Sequence, residues 1–248
     1  MKSGTNLDQR QIDHRRFWEK KKAVRLLYMD FHKRLLEACP EGKVLDIGGG
    51  TAHIKEFRSN VISVDILPFP GIDVAADAHQ MPFPDGTFAG AVMLDVLHHL
   101  ERPIDFLREA SRVLKPGGRL AMIEPAMTVL ARQFYNFCHD EPVNLRADPF
   151  APVAINPKRD PFDANQAIPS LLFTTDSARK RVERAVPDLR VRDIKWLSLF
   201  AYPLSGGFKG WSAMPAAMVG PMLAIEERVP KMIRKLIGFR IMIVLERV

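Results

Sequence analysis

Cysteine is scarce in this chain. The 248 residues hold two, Cys39 and Cys138, far apart and in no CxxC or zinc-ligand spacing. That excludes a disulfide framework and points to a reducing, cytoplasmic setting. The first residues, Met1-Lys2-Ser3-Gly4-Thr5, run into charged residues with no apolar core, so no signal peptide is expected. No internal repeat or low-complexity tract is found. The apolar fraction of 47% and charged fraction of 26% are those of a globular protein, which excludes disorder and coiled coil.

What the chain has in excess is positive charge, a formal +7. This permits attraction to a membrane surface, a nucleic acid or a phosphorylated substrate without choosing among them. Much of it sits at Arg15, Arg16, Lys20, Lys21, Lys22 and Arg25, which read as the solvated face of a helix. Basic patches interleaved with aromatics, which nucleic-acid binders use, are not seen.

Phe17, Val24, Leu27, Tyr28, Phe31 and Leu35 recur at helical spacing, predicting one amphipathic helix over 17–38, ended by Pro40 and Gly42. The period then shortens. Short apolar runs over 43–47, 61–65, 72–75, 88–94 and 119–123 read as strands. A helix is expected over 104–114, stopped by Lys115-Pro116-Gly117-Gly118. Polar or glycine clusters fall at the strand C-termini, where open α/β sheets bind ligands. Further on, residues 140–170 form a long Pro/Asp/Asn-rich connection, and a helix is expected over 177–186. A strand over 191–196 precedes a helix over 222–237 broken at Pro230, and a last strand spans 239–245.

The segment Val44-Leu45-Asp46-Ile47-Gly48-Gly49-Gly50-Thr51-Ala52 is the most informative. A strand turning at once into three glycines lets a ligand lie against bare backbone, and free N–H groups there receive an anionic group. A dinucleotide fingerprint fails because His53 stands at its last glycine position, and the Gly-Lys-Ser/Thr ending of a P-loop is absent.

What remains resembles the DxGxG motif of class I S-adenosylmethionine-dependent methyltransferases, with Asp46, Gly48, Gly49 and Gly50 in the loop and Ala52 where the family often has another glycine. The resemblance continues in order. Asp65 ends the second strand, where the family places a carboxylate on the ribose hydroxyls, with Ile66 beside it. Asp77-Ala78, followed by Met81-Pro82-Phe83-Pro84-Asp85-Gly86-Thr87-Phe88, is similar to the adenine-binding stretch. The run Leu94 to Leu100 and the Leu114-to-Gly118 turn are similar to those of the methyltransferase type 11 branch. The resemblance implies a doubly wound, seven-stranded, mostly parallel Rossmann-like α/β sheet whose last strand is antiparallel. It also implies S-adenosylmethionine as cofactor, S-adenosylhomocysteine as product, and Asp46, Gly48, Gly49, Gly50, Asp65, Ile66, Asp77, Ala78 and Leu94 as cofactor-binding residues. The stretch from Ile66 to Gly71 is too short and proline-rich for a crossover helix, so a trimmed sheet edge is expected.

His98, His99 and Glu124, just past the fourth and fifth strands, are the candidate catalytic groups. Adjacent residues point in different directions, so one histidine at most is expected to reach a substrate. Both histidines could instead hold the neighbouring turn, and Glu124 could simply cap it. The cluster Cys138-His139-Asp140-Glu141 fits no standard metal spacing, so no metal is expected. Tyr135 reads as core or lid. From Trp196 to Ile225 the only charge is Lys209, but prolines and glycines interrupt the run, so a spanning helix is not expected. A packed core segment competes there with an apolar lid. The lid would continue into the helix bearing Arg228, Lys231, Arg234 and Lys235 and meet a lipid-like acceptor or a membrane surface.

The expectation is therefore a helical cap over 1–42 and a cofactor-binding domain over 43–248 with a lid and acceptor region over about 125–225. Methyl transfer to a small-molecule acceptor, lipid-like or saccharide, is expected at oxygen, with nitrogen and carbon open. A nucleic-acid methyltransferase and a non-catalytic cofactor-binding protein are the alternatives.

Overall fold

The computed structural model describes residues 8–138, 141–156 and 158–248, with the backbone alone at residues 137 and 138. Of the candidate metal cluster, Cys138, His139 and Asp140 thus fall outside the described side chains. The strands are β1 (Val44–Ile47), β2 (Val61–Asp65), β3 (Val74–Ala75), β4 (Phe88–Leu94), β5 (Leu114–Pro125), β6 (Leu189–Leu197) and β7 (Arg240–Arg247). They form one sheet in the order β3-β2-β1-β4-β5-β7-β6. β1 to β5 run parallel, and β7 lies antiparallel between β5 and β6. The expected seven-stranded, mostly parallel sheet is present.

Strands covered on both faces need apolar side chains throughout rather than an alternation. β1 and β4 show this: every residue of β1 is buried, as are six of the seven in β4. One apolar layer lies beneath α3 (Pro103–Val113), α5 (Ile168–Phe173) and α6 (Asp176–Ala185). The other lies beneath α2 (Lys22–Ala38), α4 (Val129–Cys138) and α7 (Ala201–Ser205). α8 (Val219–Arg228) and α9 (Lys231–Ile237) are separated at Val229-Pro230, the break expected from the proline.

The sheet edge is trimmed as expected. A single 3₁₀ turn over His53–Glu56 joins β1 to β2, and no helix lies between β2 and β3.

One expectation is corrected. The helix predicted over 17–38 is two helices, α1 (Gln9–Lys20) and α2, parted at Lys21, whose φ of −99° and ψ of 82° leave the helical region. The Lys21 ammonium donates to the carbonyls of Ser205, Gly207, Lys209 and Trp211 at 2.6–2.9 Å. A charge-assisted cage of this kind outweighs continuation of one turn of helix. The basic run is therefore not a uniformly solvated face. Lys21 is enclosed by carbonyls, while Arg15 and Arg25 both pair with Glu56.

Candidate active site

β1 delivers the glycine turn to the C-terminal edge of the sheet. The amides of Gly48 and Gly49 donate to the Val64 carbonyl (2.8 and 3.1 Å), folding the turn back over β2. Gly48 has φ +70°, and a Cβ there would meet Val96 at 2.4 Å, which places the loop after β4 directly against the turn. A Cβ on Gly49 would lie 2.7 Å from the Asp46 carboxylate. Gly50 differs: at φ +54°, its missing Cβ would meet nothing nearer than the Gly48 carbonyl at 3.9 Å, so the turn faces open space there. That is the cradle a ligand lying on bare main chain requires. Ala52 also holds a left-handed φ of 57°, which explains why a glycine suits that position.

Asp46 is buried beneath the turn and accepts from the Ser63 hydroxyl at 3.0 Å. Burial pushes its carboxyl up to about 7, although the Ser63 hydrogen bond opposes this. Asp65, at the end of β2, accepts from the amides of Gly50 and Leu67, both at 2.8 Å, which orients its carboxylate beside the cradle. Ile66 is exposed next to it. Asp77 is exposed and is held by the His79 amide (2.8 Å) and ring (2.6 Å), while Ala78 packs on the core below. Leu94 closes β4 on the other side of the turn.

Past β4 the chain turns through a 3₁₀ segment, Leu97–His99. Glu124, fully buried at the end of β5, receives that segment: one oxygen accepts from the Val96 and Leu97 amides (2.9 and 2.8 Å), the other from His98 Nδ1 at 2.6 Å. His98 Nε2 lies 3.4 Å from Glu141. Burial alone would lower the His98 pKa, but two carboxylates outweigh it and hold it at about 9. His98 is therefore an imidazolium clamped between two anions. Burial raises and the His98 charge lowers the Glu124 pKa, and the net direction is down.

His99 is the reverse case. Burial, then the charge on His98, lower it to about 4, and one ring nitrogen bonds the Asp163 main chain while Nδ1 is buried with no partner among the described residues. His98, His99 and Glu141 bring ligand-type atoms within 4.8 Å of one another. Both His98 nitrogens face carboxylates, so the trio is described by an imidazolium held between acids.

A second cluster beside it has no counterpart in the sequence reading. Asp95, directly after β4, has a positive φ of 58°. It accepts from the Tyr28 hydroxyl at 2.8 Å and from Arg240 Nη1. Arg240, at the head of β7, is 3% exposed, and its guanidinium stacks 4.0 Å from the Tyr202 ring centre. Its Nε has no partner among the described residues. The buried Tyr135 hydroxyl donates to the Phe239 carbonyl at 3.0 Å, immediately before Arg240. The protein has three tyrosines, and all of them converge on this one arginine. A lone cation heading the apolar run Ile241 to Leu245 was the available signal.

Residues 20–122 match the family model described as a methyltransferase domain. Over that stretch the chain is similar to the type 11 branch of the class I, S-adenosylmethionine-dependent methyltransferases. The chain is 33% identical over 139 residues to the ubiquinone/menaquinone biosynthesis C-methyltransferase UbiE of Ectopseudomonas mendocina, covering 45% of this chain and 54% of that one. It is 30% identical over 125 residues to the mitochondrial 2-methoxy-6-polyprenyl-1,4-benzoquinol methylase of Caenorhabditis elegans, covering 41% and 44%. The chain thus spans about half the length of these curated relatives. Its fold is that of a SAM-dependent methyltransferase from Archaeoglobus fulgidus, with a TM-score of 0.54 at 16% identity, over 94% of this chain and 99% of that one.

Proposed function

We propose that the protein transfers the methyl group of S-adenosylmethionine to a hydroxyl oxygen of a small-molecule acceptor, and that His99 is the base. The observation that carries this reading is His99 Nδ1, a neutral lone pair with no partner among the described residues, in the loop that touches the glycine turn.

Gly48 to Gly50 would carry the methionine part of the cofactor, Asp65 its ribose, and Asp77 with Ala78 and Ile66 its adenine. When bound, the cofactor supplies a sulfonium-activated methyl group ready for in-line displacement. The chain's own part is alignment and proton handling. Alignment of acceptor and methyl group contributes on the order of 7–11 kcal/mol in such reactions. His99 Nδ1 accepts the hydrogen bond of the acceptor hydroxyl, fixing its orientation. As the oxygen–methyl bond forms, the hydroxyl acidifies and its proton passes to Nδ1. Because His99 is a weak base, the proton moves late, and the expected contribution is near the lower end of the usual 10²–10⁴. His98 is not the base: an imidazolium has no lone pair to offer. It and Glu124 position the turn that carries His99. Asp95, partly exposed and held by Tyr28 and Arg240, offers a carboxylate oxygen to another hydroxyl of the acceptor.

A second reading, transfer to a ring carbon of a hydroxyarene, is favoured by the named reactions of the two quinone-pathway relatives. It uses the same proton removal from a hydroxyl. Incubating the protein with ¹³C-methyl S-adenosylmethionine and fractionated extract separates the two. A methoxy carbon resonance in a small molecule is expected, a C-methyl resonance selects the second reading, and label confined to nucleic acid or transferred nowhere refutes both.

A further inference from the structure

Two helices leave an apolar ridge uncovered. On α4, Val129 is 71% exposed and Leu130 is exposed too; on α9, Met232 is 81% exposed, with Ile233 and Leu236 exposed beside it. α4 and α9 pack against each other, so these side chains belong to one surface. Scattered apolar residues on a surface are ordinary, but a contiguous set rimmed by polar groups marks a contact site.

The rim carries one sign of charge. α9 reads Lys-Met-Ile-Arg-Lys-Leu-Ile and α4 reads Val-Leu-Ala-Arg-Gln-Phe-Tyr-Asn-Phe-Cys, with no acidic residue in either. Arg132, Lys231 and Lys235 are exposed there, and Arg228 lies one turn before α9. The acids that precede α9 are already engaged: Glu226 is buried on the amides of Phe200 and Ala201, and Glu227 pairs with Arg34 and Arg234.

We propose that this ridge docks the protein on an anionic phospholipid bilayer. Exposed Met, Ile, Leu and Val flanked by Lys and Arg match an interfacial surface, whose apolar side enters the acyl boundary while its cations meet lipid phosphates. No helix among the described residues is long and apolar enough to cross a membrane, so the contact is peripheral.

Position ties the ridge to the site. α4 begins four residues after β5 ends at Pro125, and α9 ends three residues before β7 begins at Arg240. Both connections lie at the sheet edge that carries Glu124 and Arg240. Docking there would set the acceptor region against the lipid surface, which names a lipid-soluble hydroxylated molecule as acceptor. That last step rests on the proposed function; the docking itself does not.

Sedimentation with sucrose-loaded vesicles tests it. The full chain should pellet with phosphatidylcholine vesicles containing phosphatidylglycerol, and about tenfold less with phosphatidylcholine alone. The double variant Met232→Glu/Leu236→Glu, altered only at exposed positions, should lose binding at least tenfold while keeping its circular dichroism. Lys231→Gln/Lys235→Gln should lose the preference for anionic lipid. Failure of the wild-type protein to pellet with either vesicle overturns the docking. So does a gel-filtration dimer that the Met232→Glu/Leu236→Glu change converts to monomer, since a second copy would then be the occupant. Vesicle binding without methyl transfer would leave the docking standing and refute the catalytic reading alone.

Discussion

Glu124 shows how one buried carboxylate can order a site. Its two oxygens hold two backbone amides and the His98 ring, so its removal leaves a buried imidazolium with Glu141 as its remaining carboxylate partner. Breaking a buried pair from one side costs roughly 3–5 kcal/mol, and Glu124→Gln should lose stability of that order at pH 7. The pH dependence has a definite sign. His98 has a raised folded pKa, so its stabilisation is full below about 6.5 and is lost as pH rises through about 9. The melting temperature should therefore fall from pH 6.5 to 9.5 in the wild type and much less in Glu124→Gln; equal slopes would contradict the ion pair. His99→Ala should lower kcat roughly 10²-fold with stability little changed. The wild-type rate should show no acid limb near 6.5, because His99 is already neutral down to about 4. A rate limb at 6.5 would assign the proton to another group.

At the scale of elements, Lys21 links the N-terminal helices to the segment over 205–211. Four carbonyls converge on one ammonium, and that segment follows α7, whose Tyr202 covers Arg240. Lys21→Met leaves these carbonyls without their donor. Amide exchange over 206–213 should speed up at least about tenfold, the change expected for a local loss of about 1.4 kcal/mol; unchanged exchange would mean that the cage holds nothing. This break was not legible in the sequence, because Phe17 and Val24, seven residues apart on either side of the lysines, are in phase for one helix and the partners of Lys21 lie some 190 positions away. The proline break between α8 and α9 was legible, since the cause sits at the break itself. The same contrast divides the site. The glycine turn, Asp65 and Asp77 are local motifs at strand ends. The convergence of Tyr28, Asp95, Tyr135, Tyr202 and Arg240 is assembled from five separate elements and leaves no pattern along the chain.

For the molecule as a whole, the alternation of short apolar runs and turns marks the parallel strands, the family resemblance implies the seven-stranded sheet with its antiparallel strand, and two prolines trim the edge where a crossover helix would otherwise stand. What the fold positions is an edge: glycine turn, carboxylates, the two histidines and the Arg240 cluster all lie at the C-terminal ends of the parallel strands. Bare main chain at Gly48–Gly50 is expected to receive the sulfonium cofactor. Titration calorimetry of S-adenosylmethionine and S-adenosylhomocysteine into the purified protein tests it most directly. One site per chain is expected for both ligands in the wild type. Binding should weaken at least tenfold in Gly49→Ala, whose new methyl group would press on Asp46 at 2.7 Å, and in Asp65→Ala. Absence of heat with either ligand, or affinity untouched by both substitutions, would contradict it.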